Sequence, residues 1–224
     1  MKQSKFPTVT VKRAAEQIIA VSRRLYERDW LAACDGNISM RLSADKILIT
    51  PTGRSKAHLK AKDFAVISLD GKILQGQPSG ERQMHLAVYR ACPEARAVVH
   101  AHPPITIAWS IAFPKLKELP ADCCSELILA LGSVPFVSYA RPGTETMGDH
   151  IRAYLPKHKV MILSRHGSLA WGESLEEAYR GTERLEHSAK ILFYAKQLGE
   201  LHPLEKRERD VLYKMRQEMG NKIL

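Results

Sequence analysis

Apolar residues recur with helical spacing in several parts of the chain. Residues 10–29 place Ala14, Ile18 and Leu25 on one face, with Thr10 available as an N-cap, which predicts a helix. The same reasoning predicts further helices over 81–92, 103–113 and 174–198 and in the charge-rich tail that begins at 203.

Short apolar runs bounded by turn-forming residues predict strands. The runs lie at 46–50, 64–68, 73–76, 95–102, 133–140, 160–164 and 167–172. An Asp70-Gly71 turn joins the second and third of these runs and predicts a hairpin. Residues 33–39 (ACDGNIS) are rich in turn formers and predict a loop.

Strands and helices alternate without a linker, repeat or low-complexity segment. We therefore predict one α/β domain over residues 1–224. Residues 203–224 would form a C-terminal helix or tail that packs on a neighbouring subunit.

Composition narrows the possible partners of the protein. No apolar run approaches the roughly 18 residues of a membrane span, and the N-terminus lacks the apolar region of a secretory signal. The four cysteines show no metal-binding spacing, so we expect reduced thiols in a cytoplasmic protein. The net charge is +10, and the Lys and Arg residues are scattered along the chain among Asp and Glu residues. This distribution argues against a nucleic-acid partner and fits the attraction of small anionic substrates.

The stretch VVHAHPP places His100 and His102 two residues apart on a predicted strand. Side chains at that spacing point to the same face, so both rings can approach one metal ion. His166 ends another apolar strand, just before Gly167. Three imidazoles with an open fourth position are typical of a catalytic zinc site, although manganese, iron and cobalt also accept imidazole ligands.

Glu81 is the candidate carboxylate for this site. It lies at the predicted start of a helix in PSGERQMH, where the helix dipole favours an ionised carboxylate. Such a group can act as a metal ligand in the resting state and as a base during turnover. His85, one helical turn later, is expected to pack behind the site without binding the metal.

Five motifs, GNIS, ITPTG, PSGERQMH, AVVHAHPP and RHGSLAWG, occur in this order from about residue 12 to 198. Their order resembles the class II aldolase/adducin family, and within it most closely the L-fuculose-1-phosphate aldolases. The resemblance implies a three-layer α/β/α fold with a central, mostly antiparallel sheet. It also implies a homotetramer with active sites between subunits.

The resemblance also implies roles for particular residues. Zinc would be held by His100, His102 and His166, and Glu81 would be a catalytic acid/base that also reaches the metal. A phosphate group would be bound by Asn37, Thr52, Gly53, Ser79 and Gly80. These types suit an anion, because hydroxyl and amide groups donate hydrogen bonds and glycine allows close approach of backbone N–H groups. Arg54 and Lys56 stand beside this loop and could add charge.

The chain departs from the family pattern in two regions. Ser79-Gly80 stands where the pattern has two serines, so one hydroxyl donor is lost. Glu126 lies near the place of a tyrosine and is a second candidate catalytic acid/base. Tyr213, in the C-terminal tail, is a third catalytic candidate that would reach into the next subunit.

The expected function is therefore cleavage of a phosphorylated, fuculose-1-phosphate-like ketose by a zinc-dependent lyase, giving dihydroxyacetone phosphate and an aldehyde. Pentulose-phosphate 4-epimerase, methylthioribulose-phosphate dehydratase and sugar-acid phosphate decarboxylase reactions stay open, because they use the same ligand set. A non-catalytic, adducin-like binding protein is the remaining alternative, and such a protein would be expected to lose its metal ligands.

Overall fold

A computed structural model describes residues 9–223 and contains one eight-stranded sheet with helices on both faces. The strands are β1 (Asn37–Arg41), β2 (Lys46–Ile49), β3 (Ala65–Ser68), β4 (Ile73–Gln75), β5 (Ala97–Ala101), β6 (Phe136–Val137), β7 (Val160–Leu163) and β8 (Gly167–Gly172). The helices are α1 (Val11–Glu27), α2 (Arg82–Ala91), α3 (Pro104–Ala112), α4 (Ser125–Leu131), α5 (Glu145–Arg152), α6 (Leu175–Leu198) and α7 (Lys206–Glu218).

The sheet runs in the order β4-β3-β2-β1-β5-β8-β7-β6. All neighbouring strands are antiparallel except β6 and β7, which are parallel. The predicted α/β class with a mostly antiparallel sheet is therefore confirmed. Strand β5 lies between β1 and β8, which places His100 directly opposite Asn37 on one side and Leu169 on the other.

Side-chain alternation along β5 divides the core between the two faces of the sheet. Val99 packs with Ile18 of α1 and Tyr179 of α6. Val98 points the other way and packs with Leu86 of α2 and Ile151 of α5. Because successive strand residues face opposite sides, both faces need a helical cover, and the three-layer arrangement follows.

The structure corrects the sequence reading of residues 33–39. The loop ends at Gly36, whose φ of +67° suits glycine, and β1 begins at Asn37. All five residues of β1 are buried, including Ser39 and Arg41. The sequence did not predict this strand because it contains several polar residues. Their hydrogen-bond partners come from elements distant in sequence, which the local pattern does not reveal.

Two further corrections concern residues 125–152. Helices α4 and α5 were not predicted, and the strand predicted at 133–140 is only the two-residue β6 at the edge of the sheet. Pro135, immediately before β6, has no backbone N–H to donate but accepts a hydrogen bond from Ile162 N (2.9 Å) through its carbonyl.

The C-terminal helix α7 packs on α4 of its own chain. Leu212 is buried, and Arg216 Nη1 donates to the Leu129 carbonyl at 2.6 Å. Val211 and Met215, by contrast, are exposed. One face of the predicted tail helix is therefore used within the chain, and its packing on a neighbouring subunit stays a prediction. Within residues 9–223, no helix combines the length and apolar character needed to cross a membrane.

Glu186 of α6 fixes the start of α3, the helix that follows the two-histidine stretch. Its carboxylate accepts hydrogen bonds from Ile105 N (2.9 Å), Thr106 N (2.9 Å) and Thr106 Oγ1 (2.7 Å). The first N–H groups of a helix have no partner within the helix, so a buried carboxylate from another element satisfies them and complements the helix dipole.

We predict that Glu186→Gln lowers the free energy of unfolding by about 1.5–3 kcal/mol, because a neutral amide accepts these bonds less well. Urea unfolding monitored by circular dichroism measures the loss. Glu176→Gln, on the same helix, is the matched control. Its exposed ion pair with Arg24 should contribute less than about 1 kcal/mol. Equal losses in both variants would contradict a special role for Glu186.

Candidate metal centre

Three histidines from two separate parts of the sheet meet at one point. His100 lies in β5, His102 follows the end of that strand, and His166 lies in the turn between β7 and β8. The His100 ring centroid is 4.8 Å from that of His102 and 4.8 Å from that of His166. The antiparallel pairing of β5 with β8 brings His166 to the pair that the sequence placed on one strand.

Contacts at the Nδ1 atoms indicate which nitrogen each of the first two rings presents to the cluster. His100 Nδ1 faces the Ser168 carbonyl at 2.8 Å, and His102 Nδ1 faces Asp35 Oδ2 at 3.3 Å. With a metal ion bound, Nδ1–H of each ring would donate to these oxygens and leave the Nε2 lone pair for the ion. The two Nε2 atoms are 3.0 Å apart. At this distance the two atoms can share one proton in a hydrogen bond or bind one cation between them.

Glu81 completes the cluster from the N-cap position of α2. Its Oε2 is 3.3 Å from His100 Nε2, and its Oε1 is 3.2 Å from His166 Nε2. Burial opposes ionisation, but hydrogen bonds and charge from His100 and His166 outweigh it and hold the pKa of Glu81 well below its usual range. The carboxylate predicted from the sequence therefore contacts two of the three histidines, His100 and His166.

The four side chains fit a divalent transition metal. The ligand nitrogens of the three histidines lie within 4.8 Å of one another. Two ligand atoms on a tetrahedral ion with bonds of about 2.0–2.1 Å lie about 3.3 Å apart, close to the separations seen here. Three neutral imidazoles and one carboxylate are also the donor types that such ions accept.

Gly167 allows the turn that carries His166 to approach the end of β5, which carries His100 and His102. A Cβ at this position would lie 2.5 Å from the Ala101 carbonyl oxygen and 2.9 Å from ring carbons of both His100 and His102. Any side chain here would push β8 away from β5. The glycine that the sequence placed after His166 is therefore required by close packing of the rings.

A chain of hydrogen bonds runs behind Glu81 through the core. Asn37 Nδ2 donates to Glu81 Oε2 at 2.8 Å, and Asn37 Oδ1 is 2.5 Å from His85 Nε2. His85 Nδ1 lies 2.7 Å from Ser39 Oγ, which is 2.9 Å from the Tyr89 hydroxyl. With His85 neutral, Nε2–H donates to Asn37 and Nδ1 accepts from Ser39, so every member is satisfied.

His85 is therefore part of the site, behind the carboxylate, as the sequence suggested. It is fully buried, and burial, followed by the charge of nearby His100, lowers its pKa to about 3. The sequence did not predict that Asn37 holds Glu81. One N–H of the Asn37 amide is used in this way, and the other remains for a ligand.

A cavity of about 400 Å³ opens beside the histidines and Glu81. All five residues predicted to bind phosphate line it: Asn37, Thr52, Gly53, Ser79 and Gly80. Cys34, Asp35 and Gly143 also line it and were not predicted. These three come from loops, whose position beside the site depends on the tertiary fold.

Backbone hydrogen bonds join the two loops of the cavity. Thr52 N donates to the Gln77 carbonyl at 3.2 Å, and Ser79 N donates to the Thr50 carbonyl at 3.1 Å. Glu81 N donates to Ser79 Oγ at 3.2 Å, which leaves the Ser79 hydroxyl hydrogen for another acceptor. The loops therefore hold neutral donors in fixed positions around the cavity.

Glu126 and Tyr213 do not line the cavity of their own chain. Glu126 is exposed and accepts from Ser125 Oγ at 2.8 Å. Tyr213 donates to Asp122 Oδ1 at 3.0 Å, and burial, together with Asp122, raises the pKa of its phenol to about 12. Their predicted catalytic roles stay predictions, and the role of Tyr213 would require a neighbouring subunit.

Comparison with known proteins agrees with this geometry. Residues 16–193 match the family model described as Class II Aldolase and Adducin N-terminal domain. The chain belongs to this family. The match spans every strand of the sheet and all four residues of the cluster.

Relatives in the family carry different names. The chain is 32% identical to a 3-oxo-tetronate 4-phosphate decarboxylase from Escherichia coli (strain K12), over 80% of this chain and 85% of that protein. It is 33% identical to an L-fuculose phosphate aldolase from Methanococcus vannielii, over 79% of this chain and 93% of that protein.

A solved structure of a related protein has the same architecture as this chain. YgbL from Klebsiella pneumoniae, whose structure is described as that of an aldolase/epimerase/decarboxylase, matches with a TM-score of 0.84 and 29% identity. The match covers 91% of this chain and 99% of that chain.

We predict that Gly167→Ala lowers affinity for zinc about 10–100-fold, because the added methyl group separates the histidine-bearing strands. Competition with a zinc chelator of known affinity measures the change. Gly199→Ala is the matched control, because a Cβ at Gly199 meets no atom within 4 Å. Wild-type zinc affinity in Gly167→Ala would show that the approach of β8 to β5 does not form the site.

The lowered pKa of His85 predicts a pH dependence of the metal-free protein. Between its usual value of 6.5 and about 3, the unfolded chain binds a proton at His85 and the folded chain does not. The free energy of unfolding should therefore fall as the pH falls through this window, by up to about 1.4 kcal/mol per pH unit from this residue.

Urea unfolding from pH 6.5 to 4 in the presence of a chelator tests this dependence. His85→Gln should show a shallower decline than wild type, whereas the exposed His187→Gln should keep the wild-type slope. Identical slopes in wild type and His85→Gln would show that His85 does not stay neutral in the folded protein.

Proposed function

We propose that this protein is a metal-dependent lyase that acts on a phosphorylated sugar. The observation that carries the proposal is the convergence of three imidazole nitrogens and the Glu81 carboxylate at the mouth of a cavity lined by neutral donors. His100, His102 and His166 would hold the ion, with zinc as the leading candidate and other divalent transition metals as alternatives.

The bound ion would act as a Lewis acid that stabilises negative charge developing on substrate oxygens. The residues of the chain would perform the other tasks. Glu81 would accept and return a proton, because it stands beside the three histidines and Asn37 holds its orientation. Thr52, Ser79 and the backbone at Gly53 and Gly80 would bind the phosphate group.

Aldol cleavage is the leading reaction. A phosphorylated ketose, similar to fuculose 1-phosphate, would give dihydroxyacetone phosphate and an aldehyde, as the name of the Methanococcus vannielii relative suggests. The hydroxyl group from which the aldehyde forms must lose a proton. Glu126 or Tyr213 of a neighbouring subunit would take that role, so the proposal includes a cytoplasmic homotetramer with active sites at its interfaces.

Decarboxylation of a keto sugar-acid phosphate is the second candidate. It is supported by the name of the Escherichia coli relative. It is also favoured by the position of Glu126 and Tyr213 outside the cavity, because loss of CO2 requires no acceptor for a leaving-group proton. Epimerase and dehydratase reactions would use the same ligands. The presence of all four cluster residues favours an enzyme over a non-catalytic, adducin-like binding protein.

Metal analysis and product analysis together test this function. Protein purified without added metal or a histidine tag should contain about one divalent ion per chain. Incubation with a panel of phosphorylated ketoses and keto sugar acids should then release either an aldehyde or CO2. A protein that neither contains metal nor takes up zinc at neutral pH would favour the binding-protein alternative.

We predict that Glu81→Gln keeps the metal and loses about 10²–10⁴-fold in turnover, the usual contribution of a positioned acid/base. Steady-state kinetics on the reactive substrate, with metal content measured on the same preparation, checks both parts. Glu94→Gln, exposed beyond the end of α2, is the control. Near-wild-type turnover of the metal-loaded Glu81→Gln would exclude Glu81 from proton transfer.

A further inference from the structure

Lys56 places a buried cation in the wall of the metal-site cavity. The residue is 3% exposed and lies in a short 3₁₀ turn just after the Thr52–Gly53 loop. Arg54, two residues earlier, has a 63% exposed side chain and pairs with Asp63 at 3.3 Å. The sequence places both Arg54 and Lys56 just after the Thr52–Gly53 loop, but of these two residues only Lys56 lines the cavity.

The ammonium group of Lys56 has few partners. Nζ donates to the Cys34 carbonyl at 2.5 Å, and no carboxylate in residues 9–223 forms an ion pair with it. An ammonium carries three N–H groups, so two of them have no acceptor among the described residues. A buried charge with so little compensation is costly unless an anion binds beside it.

The acidic residues nearest to Lys56 are committed to imidazoles. Asp35 contacts His102 Nδ1, and Glu81 contacts His100 and His166. Burial lowers the pKa of Lys56, while Asp35 and Glu81 are close enough to oppose that shift. These carboxylates therefore act on Lys56 through space without occupying its N–H groups.

The cavity has room and charge for an anion next to Lys56. A Cβ built on Gly53 or Gly80 would meet no atom within 4 Å, so both glycines border open space. Asp35 and Glu81 supply two negative charges and Lys56 one positive charge. A divalent ion on the histidines would make the lining net positive, which favours an anionic substrate.

We propose that Lys56 binds an anionic oxygen group of the substrate and thereby determines the selectivity of the cavity for anionic sugars. The inference rests on the proposed function, in which the substrate carries a phosphate and, for decarboxylation, also a carboxylate. Both groups accept the same charge-assisted hydrogen bonds from an ammonium. Lys56 supplies the charge that the neutral donors Thr52 and Ser79 lack.

Calorimetric titration with inorganic phosphate and with acetate tests the inference, with and without added zinc. Lys56→Met should weaken binding of one anion about tenfold or more, the loss expected for one charge-assisted hydrogen bond. The exposed Lys62→Met carries the same charge change in the neighbouring segment and should keep wild-type binding. Lys56→Arg should restore part of the lost affinity, because it keeps the charge.

The anion affected identifies the group that Lys56 recognises. Weaker phosphate binding in Lys56→Met would assign the phosphate, and weaker acetate binding would assign a carboxylate. Wild-type affinity for both anions in Lys56→Met would overturn the inference, as would a wild-type protein that binds neither anion.

Thermal unfolding gives a second readout that a purely structural lysine would not produce. Without anion, Lys56→Met should melt at or above the wild-type temperature, because it removes an uncompensated buried charge. Phosphate or acetate should raise the melting temperature of the wild type but not of Lys56→Met. A lower melting temperature without anion, together with normal anion binding, would assign Lys56 a structural role and reject the inference.

The two proposals can fail separately. One metal ion per chain and product formation, with unchanged anion binding in Lys56→Met, would leave the lyase function standing and remove Lys56 from recognition. Anion binding that depends on Lys56, in a chain that takes up no metal, would keep the anion site and reject the lyase function.

Discussion

The close approach of ligand atoms at the end of β5 is the constraint on which the rest of the site depends. His100 Nε2 lies 3.0 Å from His102 Nε2 and 3.3 Å from Glu81 Oε2. The Nδ1 atoms of the two rings face the Ser168 carbonyl and Asp35, so both Nε2 atoms turn inward. The surrounding sheet holds these groups together, and a bound cation would be contacted by all of them at once.

The scaffold that holds these groups is anchored by specific contacts at each attachment point. His100 lies in the centre of an eight-stranded sheet, between β1 and β8. Gly167 lets the His166 turn approach without a steric clash, and Glu186 anchors the helix that follows His102. Behind Glu81, a series of hydrogen bonds runs from Asn37 through His85 and Ser39 to Tyr89. Neutral side chains therefore hold the carboxylate in place.

Charge in the cavity is divided between two places. The histidine cluster concentrates nitrogen and carboxylate donors where a cation fits, and Lys56 carries a positive charge in the adjacent wall. An anionic sugar could therefore meet a cation at both positions, with neutral donors from the loops between them. This division explains why removal of Lys56 and removal of Glu81 should affect different properties of the protein.

The sequence by itself determined the α/β class, most of the helices and strands, the three histidines, Glu81 and the loop donors, because each depends on local periodicity, spacing or a motif. It could not show that residues 37–41 form a strand, since the partners of Asn37 and Ser39 lie on α2. Only the tertiary structure decided that Lys56 is buried while Arg54 is exposed, and that Glu126 and Tyr213 stand apart from the cluster. The burial of a side chain and its distance from the cluster depend on contacts between elements distant in sequence. Local sequence patterns do not contain that information.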